Sequence, residues 1–260
     1  MRLKWFGTAT MLLEQDGVNI LFDPFLPLNK KVFYPPIAEL SKADGIFITH
    51  GHFDHISATS DVLKQSDNPI MVYCTKNTQD ILVSKGVSDS QISCVAPGEA
   101  VELGSLNVQV LKSKHINYDT GMILRTIFNP RILYYWHNFK QIINANENRD
   151  KDTETVMYEI NVQNKRVLLM GSLNLDDDIE YTPGADLLIL PLQGRMDINR
   201  YTMPIIDRLK PLTILLFHFD NTFPPFSYNV NTKRFLACMS KEYPDIPVIC
   251  TPASAEWIEL

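Results

Sequence analysis

The chain has 260 residues, enough for one sizeable hydrophobic core, and its 45% apolar and 21% charged content is that of a soluble globular protein. A net charge of -6 argues against a broad nucleic-acid-binding face. No stretch approaches the roughly 18 uncharged apolar residues of a membrane span.

The opening residues read as a β-meander. Leu3–Phe6, Thr10–Glu14 and Val18–Phe22 are short β-prone runs, parted by Gly7 and by the turn pair Asp16-Gly17. Glu14 and Asp16 arrive before any uninterrupted apolar core, so no export signal is expected and the location is expected to be cytoplasmic. The third run stops at Asp23-Pro24. A loop rich in proline and aromatic residues, ending at Pro36, then leads to the apolar run Gly45–Thr49, which reads as a buried strand.

Directly after that run comes His50-Gly51-His52-Phe53-Asp54-His55. Three of the six histidines and a carboxylate fall in one short turn. Imidazole and carboxylate are the usual ligands of zinc and other borderline divalent ions, and packing does not explain their concentration at a strand end. The spacing predicts His50 and His52 on one side of an extended segment. Asp54 and His55 fall on the other side of the following turn, so the run can serve two metals.

Helices and strands then alternate. Thr59–Gln65 suits a helix, Pro69–Cys74 a strand, and Thr75–Lys85 a second helix ended by Gly86. Strands are expected near Val101 and over Leu106–Lys112, the latter delivering His115. Thr155–Val162 and Arg166–Met170 form a strand pair turned at Gln163-Asn164-Lys165. Asp186–Pro191 and Thr213–Phe217 are continuous apolar runs, hence buried strands, and the second delivers His218. A helix near Thr232–Lys241 and two short strands close the chain. Two packed sheets flanked by helices follow, in a single domain of residues 1–260.

Residues 119–152 depart from this alternation. An apolar stretch from Met122 to Phe128 breaks at Asn129-Pro130 and resumes at helical spacing over Ile132, Tyr135, Trp136, Phe139, Ile142 and Ile143. Asn129 is expected as N-cap and Pro130 as the first helical residue. The mostly polar run 144–152 reads as an exposed, mobile return. The segment is an insertion that begins just after His115. It can serve as a cover for an apolar substrate, as a homo-oligomer interface, or as extra core. His137 within it reads as a helix-face histidine. The scattered Cys74, Cys94, Cys238 and Cys250 are expected to be buried, reduced thiols.

His115 and His218 each follow or end an apolar strand, as His50 does. Sites in mixed α/β proteins gather at the carboxyl ends of strands, so these three strand ends are expected to meet. The pattern His50-x-His52-x-Asp54-His55, with the meander ending at Asp23, His115, the run Gly184–Pro191 and a late His218, closely resembles the metallo-β-lactamase superfamily over nearly the whole chain. In finer style it resembles the ascorbate-phosphate lactonase-like and phospholipid-phosphodiesterase-like branches.

The resemblance implies an α/β fold, a four-layer αβ/βα sandwich of two mixed sheets flanked by helices, with a two-metal groove between them. It implies that His50, His52 and His115 hold one metal and that Asp54, His55 and His218 hold the other. Asp23 would sit just outside the ligands and orient them; the alternative is a turn residue that ends a strand. The implied activity is metal-dependent hydrolysis of an ester, lactone or phosphodiester-type small molecule by a metal-bound hydroxide. Two zinc ions are the implied cofactor, with manganese or iron as alternatives. Asp54 would bind metal and orient the nucleophile or accept its proton, and no nucleic-acid partner is expected.

One position departs from the family. A metal-bridging aspartate commonly follows glycine after a strand, and here Gly171 is followed by Ser172. A neutral hydroxyl is a poor ligand, so the second metal is expected to bind more weakly. Asp176, Asp177 and Asp178 read as a solvated turn, rescue by one of them being the alternative. One subclass of metallo-β-lactamases is similar in having serine there, with Asp, His and His around the second metal. The same change weighs against a mononuclear iron dioxygenase. A non-catalytic metal-binding or sensing protein of this fold, and a nuclease, stay open as alternatives.

Overall fold

The structure, a computed structural model, describes residues 1–145 and 154–260. The polar return expected over 144–152 lies outside the described residues from 146 onward.

The meander forms as expected. Strands β1 (Arg2–Gly7), β2 (Thr10–Gln15) and β3 (Val18–Phe22) pair antiparallel. Asp16 and Gly17 both take positive φ, which a two-residue hairpin turn requires. After a short helix α1 (Ile37–Leu40), β4 (Gly45–Phe47) adds parallel to β3. Helices α2 (Phe53–Ile56) and α3 (Thr59–Gln65) lead to β5 (Met71–Cys74), and α4 (Lys76–Ser84) to β6 (Ile92–Cys94), both strands parallel to their neighbours.

The second sheet repeats the plan. Hairpins join β7 (Ala100–Leu103) to β8 (Leu106–Ser113), and β9 (Thr155–Val162) to β10 (Lys165–Met170). Between β8 and β9 run three helices, α5 (Thr120–Ile127), α6 (Arg131–Tyr134) and α7 (Trp136–Ala145). Parallel crossovers then add β11 (Leu187–Pro191), α8 (Ile198–Leu209), β12 (Ile214–Phe217), α9 (Thr232–Glu242) and β13 (Val248–Ile249). Strand β14 (Ile258–Glu259) returns to β1. Among the described residues this makes two seven-stranded sheets, β14-β1-β2-β3-β4-β5-β6 and β13-β12-β11-β10-β9-β8-β7.

Strand periodicity explains the layers. Successive side chains of a strand point to opposite faces. Val167, Leu169, Leu187 and Ile189 therefore enter the core between the sheets with Leu13, Phe22 and Phe47. Their neighbours Leu168, Met170, Leu188 and Leu190 face outward onto Ile198, Ile205, Ile206 and Phe235 of α8 and α9. On the far side, Ile46, Val72 and Cys74 pack against Val62 of α3 and Leu82 of α4. The central strands of both sheets are thus buried on both faces, giving the expected four layers. Among the described residues, no helix is long and apolar enough to cross a membrane.

Four points differ from expectation. The helix expected through 130–143 is two helices, because Tyr135 leaves helical geometry at φ -104° and ψ 33°. Packing overrides the period there: the bend lets Phe139 stack on Phe226 at 5.5 Å and buries Ile142 beside Phe25 and Phe53. Pro130 flanks the first of these helices rather than starting it, while the Asn129 side chain accepts from the Arg131 amide at 3.0 Å. Helix α8 was not expected, although Ile198, Ile205, Ile206 and Leu209 bury one face; Pro204 lies inside it, where proline normally argues against a helix. Finally, Cys74 is buried but Cys94 is exposed on β6 and Cys238 and Cys250 are half-buried, and all four thiols are free.

Tyr158 on β9 ties the sheets together at the end of β4. Its ring meets Phe22 and Phe47 at 5.9 and 5.3 Å, and its hydroxyl donates to the Ile48 carbonyl at 2.7 Å. Burial, reinforced by Asp23, raises its pKa well above the usual phenol range. Tyr158→Phe removes the donor to a buried carbonyl and is expected to lower stability by about 1–3 kcal/mol. Urea unfolding should show the midpoint fall at an unchanged m-value; an unshifted midpoint contradicts the tie.

Candidate metal centre

The six histidine and aspartate side chains expected to converge do so. One donor atom each from His50, His52 and His115 lies within 4.8 Å of the others, and the same holds for Asp54, His55 and His218. The imidazoles form a continuous group, with ring centroids at 4.0 Å for His50–His55, 4.3 Å for His52–His115 and 5.7 Å for His55–His218. His50, His55 and His218 are buried, and His52, Asp54 and His115 are half-buried. His137 is exposed on α7, outside both groups.

Each residue is placed by a strand end. His50 and His52 leave β4 in extended backbone, and the chain coils at Phe53 into α2, which turns Asp54 and His55 to the second group. His115 lies two residues beyond β8 and His218 directly follows β12. His218 holds φ +57° and Asp23 φ +44°. Left-handed backbone costs a non-glycine residue about 1–2 kcal/mol, and such outliers persist where surrounding contacts over-determine them.

Those contacts are visible. Asp23, fully buried at the end of β3, accepts from the Thr49 amide at 2.8 Å and the Thr49 hydroxyl at 2.7 Å. Its Oδ2 also lies 2.8 Å from His55 Nδ1, so the carboxylate turns the other ring nitrogen of His55 to the cleft. His115 Nδ1 lies 3.0 Å from the Ile116 carbonyl. Gln193 donates to the carbonyls of His218 and Asp220, each at 3.1 Å, and leaves His218 Nε2 3.1 Å from Asp54 Oδ2. Burial alone would push the Asp54 carboxyl up, but the imidazoles of His55 and His218 outweigh it and hold the group far below the usual carboxylate range.

Ser172 lies at the cavity but its hydroxyl accepts from the Ile116 amide at 2.9 Å, bracing the loop that carries His115. A Cβ on the preceding Gly171 would collide with the Thr49 side chain, so the ends of β10 and β4 approach closely only with glycine there. Thr49 and Gln193 are the site residues that sequence reasoning missed. Thr49 closes the apolar run that leads into the histidines, and in the fold it is fully buried.

Asp176, Asp177 and Asp178 join neither group, and the solvated-turn reading is corrected for the first of them. Asp176 is buried and paired with Lys112 at 2.7 Å and Lys114 at 3.2 Å, whereas Asp177 is exposed.

A family profile described as "Beta-lactamase superfamily domain" matches residues 2–218. The chain belongs to this family, the metallo-β-lactamase superfamily. It is 23% identical over 225 residues to a UPF0173 protein of Pyrococcus abyssi, covering 84% of this chain and 83% of that one. A UPF0173 metal-dependent hydrolase of Azorhizobium caulinodans is 30% identical over 134 residues, which span 50% of this chain and only 56% of the relative. Among solved structures, the metallo hydrolase Igni18 of Ignicoccus hospitalis superposes with a TM-score of 0.63 at 19% identity, over 100% of this chain and 98% of that one. Zinc-bound PqqB of Methylobacterium extorquens does so at 0.61 and 14%, over 100% of both.

Hydrogen bonding to Lys112, then to the Asp178 amide, holds Asp176 well below its ordinary pKa. A depressed folded pKa contributes stability that is complete above the unfolded value of about 3.9 and is lost as pH falls through the folded one. Asp176→Asn should therefore lower Tm by a constant amount between about pH 5 and pH 7, the gap narrowing below about pH 4. A gap that does not change with pH overturns the assignment.

Proposed function

We propose that this protein is a metal-dependent hydrolase whose two donor groups hold two divalent ions, zinc foremost, and which cleaves an ester, lactone or phosphodiester-type bond in a small molecule. The carrying observation is the meeting of two adjacent three-donor groups, drawn from the turn after β4, the loop after β8 and the end of β12. Donors around one zinc ion lie about 2.0–2.2 Å from it, hence within about 4.4 Å of each other. Donors within 4.8 Å of one another are close enough to gather round one such ion. Imidazole and carboxylate are also the chemistry such ions select.

Two ions in these positions would supply a water that ionises near neutral pH and a Lewis acid for the developing oxyanion. His50, His52 and His115 serve as ligands of one ion, and Asp54, His55 and His218 of the other. Asp23 holds His55, and the Ile116 carbonyl holds His115, so that one nitrogen of each ring is committed to the cleft. The Asp54 carboxylate, kept ionised by its histidine neighbours, orients the attacking water. One domain over residues 1–260, with 119–152 as its insertion, belongs to this reading and is supported by the core shared between the sheets.

Protein purified without added metal should carry about two equivalents. His52→Ala and Asp54→Ala should each lose at least one equivalent and reduce ester turnover by about 10³-fold or more; near-normal turnover in either variant would falsify the ligand assignment. Metal without turnover on esters, lactones and phosphodiesters favours a sensor instead. Asp23→Asn touches no ion directly, and is expected to weaken zinc affinity by about 10–100-fold in a chelator competition while the fold survives. Unchanged affinity removes Asp23 from the mechanism.

A further inference from the structure

The donor groups form the floor of a cavity of about 420 Å³, within the range of small-molecule sites. Its walls are apolar. Helices α5 and α7 contribute Met122, Thr126, Ile142 and Ile143, and the loop after β12 contributes Phe223 and Phe226. These walls are anchored, since Ile142 packs with Phe25 and Phe53, Phe139 stacks on Phe226, and Asn138 donates to the Pro224 carbonyl at 3.1 Å. Among the described residues, no lysine or arginine lines the cavity, and its one carboxylate is Asp54.

That lining selects by charge. A buried ion without a partner costs several kcal/mol. Among the described residues, a charge on the part of a substrate away from the scissile bond finds no counter-charge, because the donor floor is taken by the scissile group itself. An uncharged group meets no such conflict, and each methylene it buries contributes about 0.8 kcal/mol. The other polar side chains of the lining, Tyr118, Thr126, Ser172 and Gln193, carry no formal charge.

Resting on the hydrolase reading above, we propose that the substrate is an uncharged carboxylic ester or lactone bearing an aliphatic or aromatic group of medium size, seated between α5, α7 and the Phe223–Phe226 loop. Water adds its hydroxyl to the acyl carbon, the acyl–oxygen bond breaks, and the leaving alkoxide takes the remaining proton. An ester gives a carboxylic acid and an alcohol, and a lactone a single hydroxy acid, with no further reactant.

Two measurements on the metal-loaded protein separate this proposal from the hydrolase reading. Calorimetric affinity for 2-alkanones, from 2-butanone to 2-decanone, should rise about fourfold per methylene until the cavity is full. A flat series overturns the apolar site whatever the activity. For p-nitrophenyl esters, kcat/KM should climb from acetate to octanoate and exceed that for bis(p-nitrophenyl) phosphate by about 100-fold or more. Equal turnover along the series, or faster phosphodiester cleavage, overturns the substrate class. A rising ketone series with no turnover of any ester keeps the apolar site and removes the hydrolase. Thr126→Trp, which fills part of the cavity, should cut the octanoate-to-acetate ratio at least tenfold; an unchanged ratio places the acyl group elsewhere.

Discussion

A single buried carboxylate organises the centre. Asp23 ends β3, and its side chain receives the amide and hydroxyl of Thr49 and faces His55. Its own backbone is held in turn, because the Thr10 hydroxyl donates to the Asp23 carbonyl and accepts from the Phe25 amide. A carboxylate with no exposed surface is tolerable only when its lone pairs are satisfied. Here its partners are the residue before the histidine run and one histidine within it. The requirement that makes Asp23 stable in the interior thus fixes the angle at which the chain leaves β4. It also explains why Asp23 keeps left-handed backbone.

The second sheet closes the arrangement from the other side. The Val156 amide donates to the Thr49 carbonyl at 3.0 Å, the Tyr158 hydroxyl reaches Ile48, and Gly171 sits against the Thr49 side chain. Strands β9 and β10 therefore grip the two residues that precede His50. The donor groups need both sheets, since His115 and His218 come from the second and the remaining four from the first. Anything that slides one sheet over the other separates the donors while leaving each sheet's own ladder intact.

These relations divide what could be read from the chain alone from what could not. The six donor residues were legible because ionisable groups at the ends of apolar runs have few structural explanations, and the strands delivering them are short and strongly apolar. The layers were legible for a similar reason: runs such as Leu187–Pro191 are apolar at every position, which demands cover on both faces. Long-range partners were not. Nothing local marks Gln193 as the brace of His218, or Lys112 and Lys114 as partners that take Asp176 out of water. Helix α8 escaped because its buried face includes Thr202 and its interior contains Pro204. The bend at Tyr135 answers to Phe226 and Phe25, far along the chain in both directions.

Ser172 shows how a lost ligand can still serve the site. With serine where relatives of this fold commonly bridge with a carboxylate, the proposed centre has Asp54 as its one carboxylate ligand, and Asp23 offsets charge only through His55. Two divalent ions would then leave the floor more positive than in a bridged centre, which strengthens the pull on a carbonyl oxygen but also on any stray anion. The Ser172 hydroxyl is meanwhile committed to the Ile116 amide, so it holds the loop of His115 in place. Ile116 itself is part of the outer core of the second sheet and of the cavity wall. The serine therefore couples wall and ligand loop. Described walls without cations and a more electropositive floor form a consistent pair: the floor attracts a carbonyl oxygen, and the walls favour an uncharged group beside it.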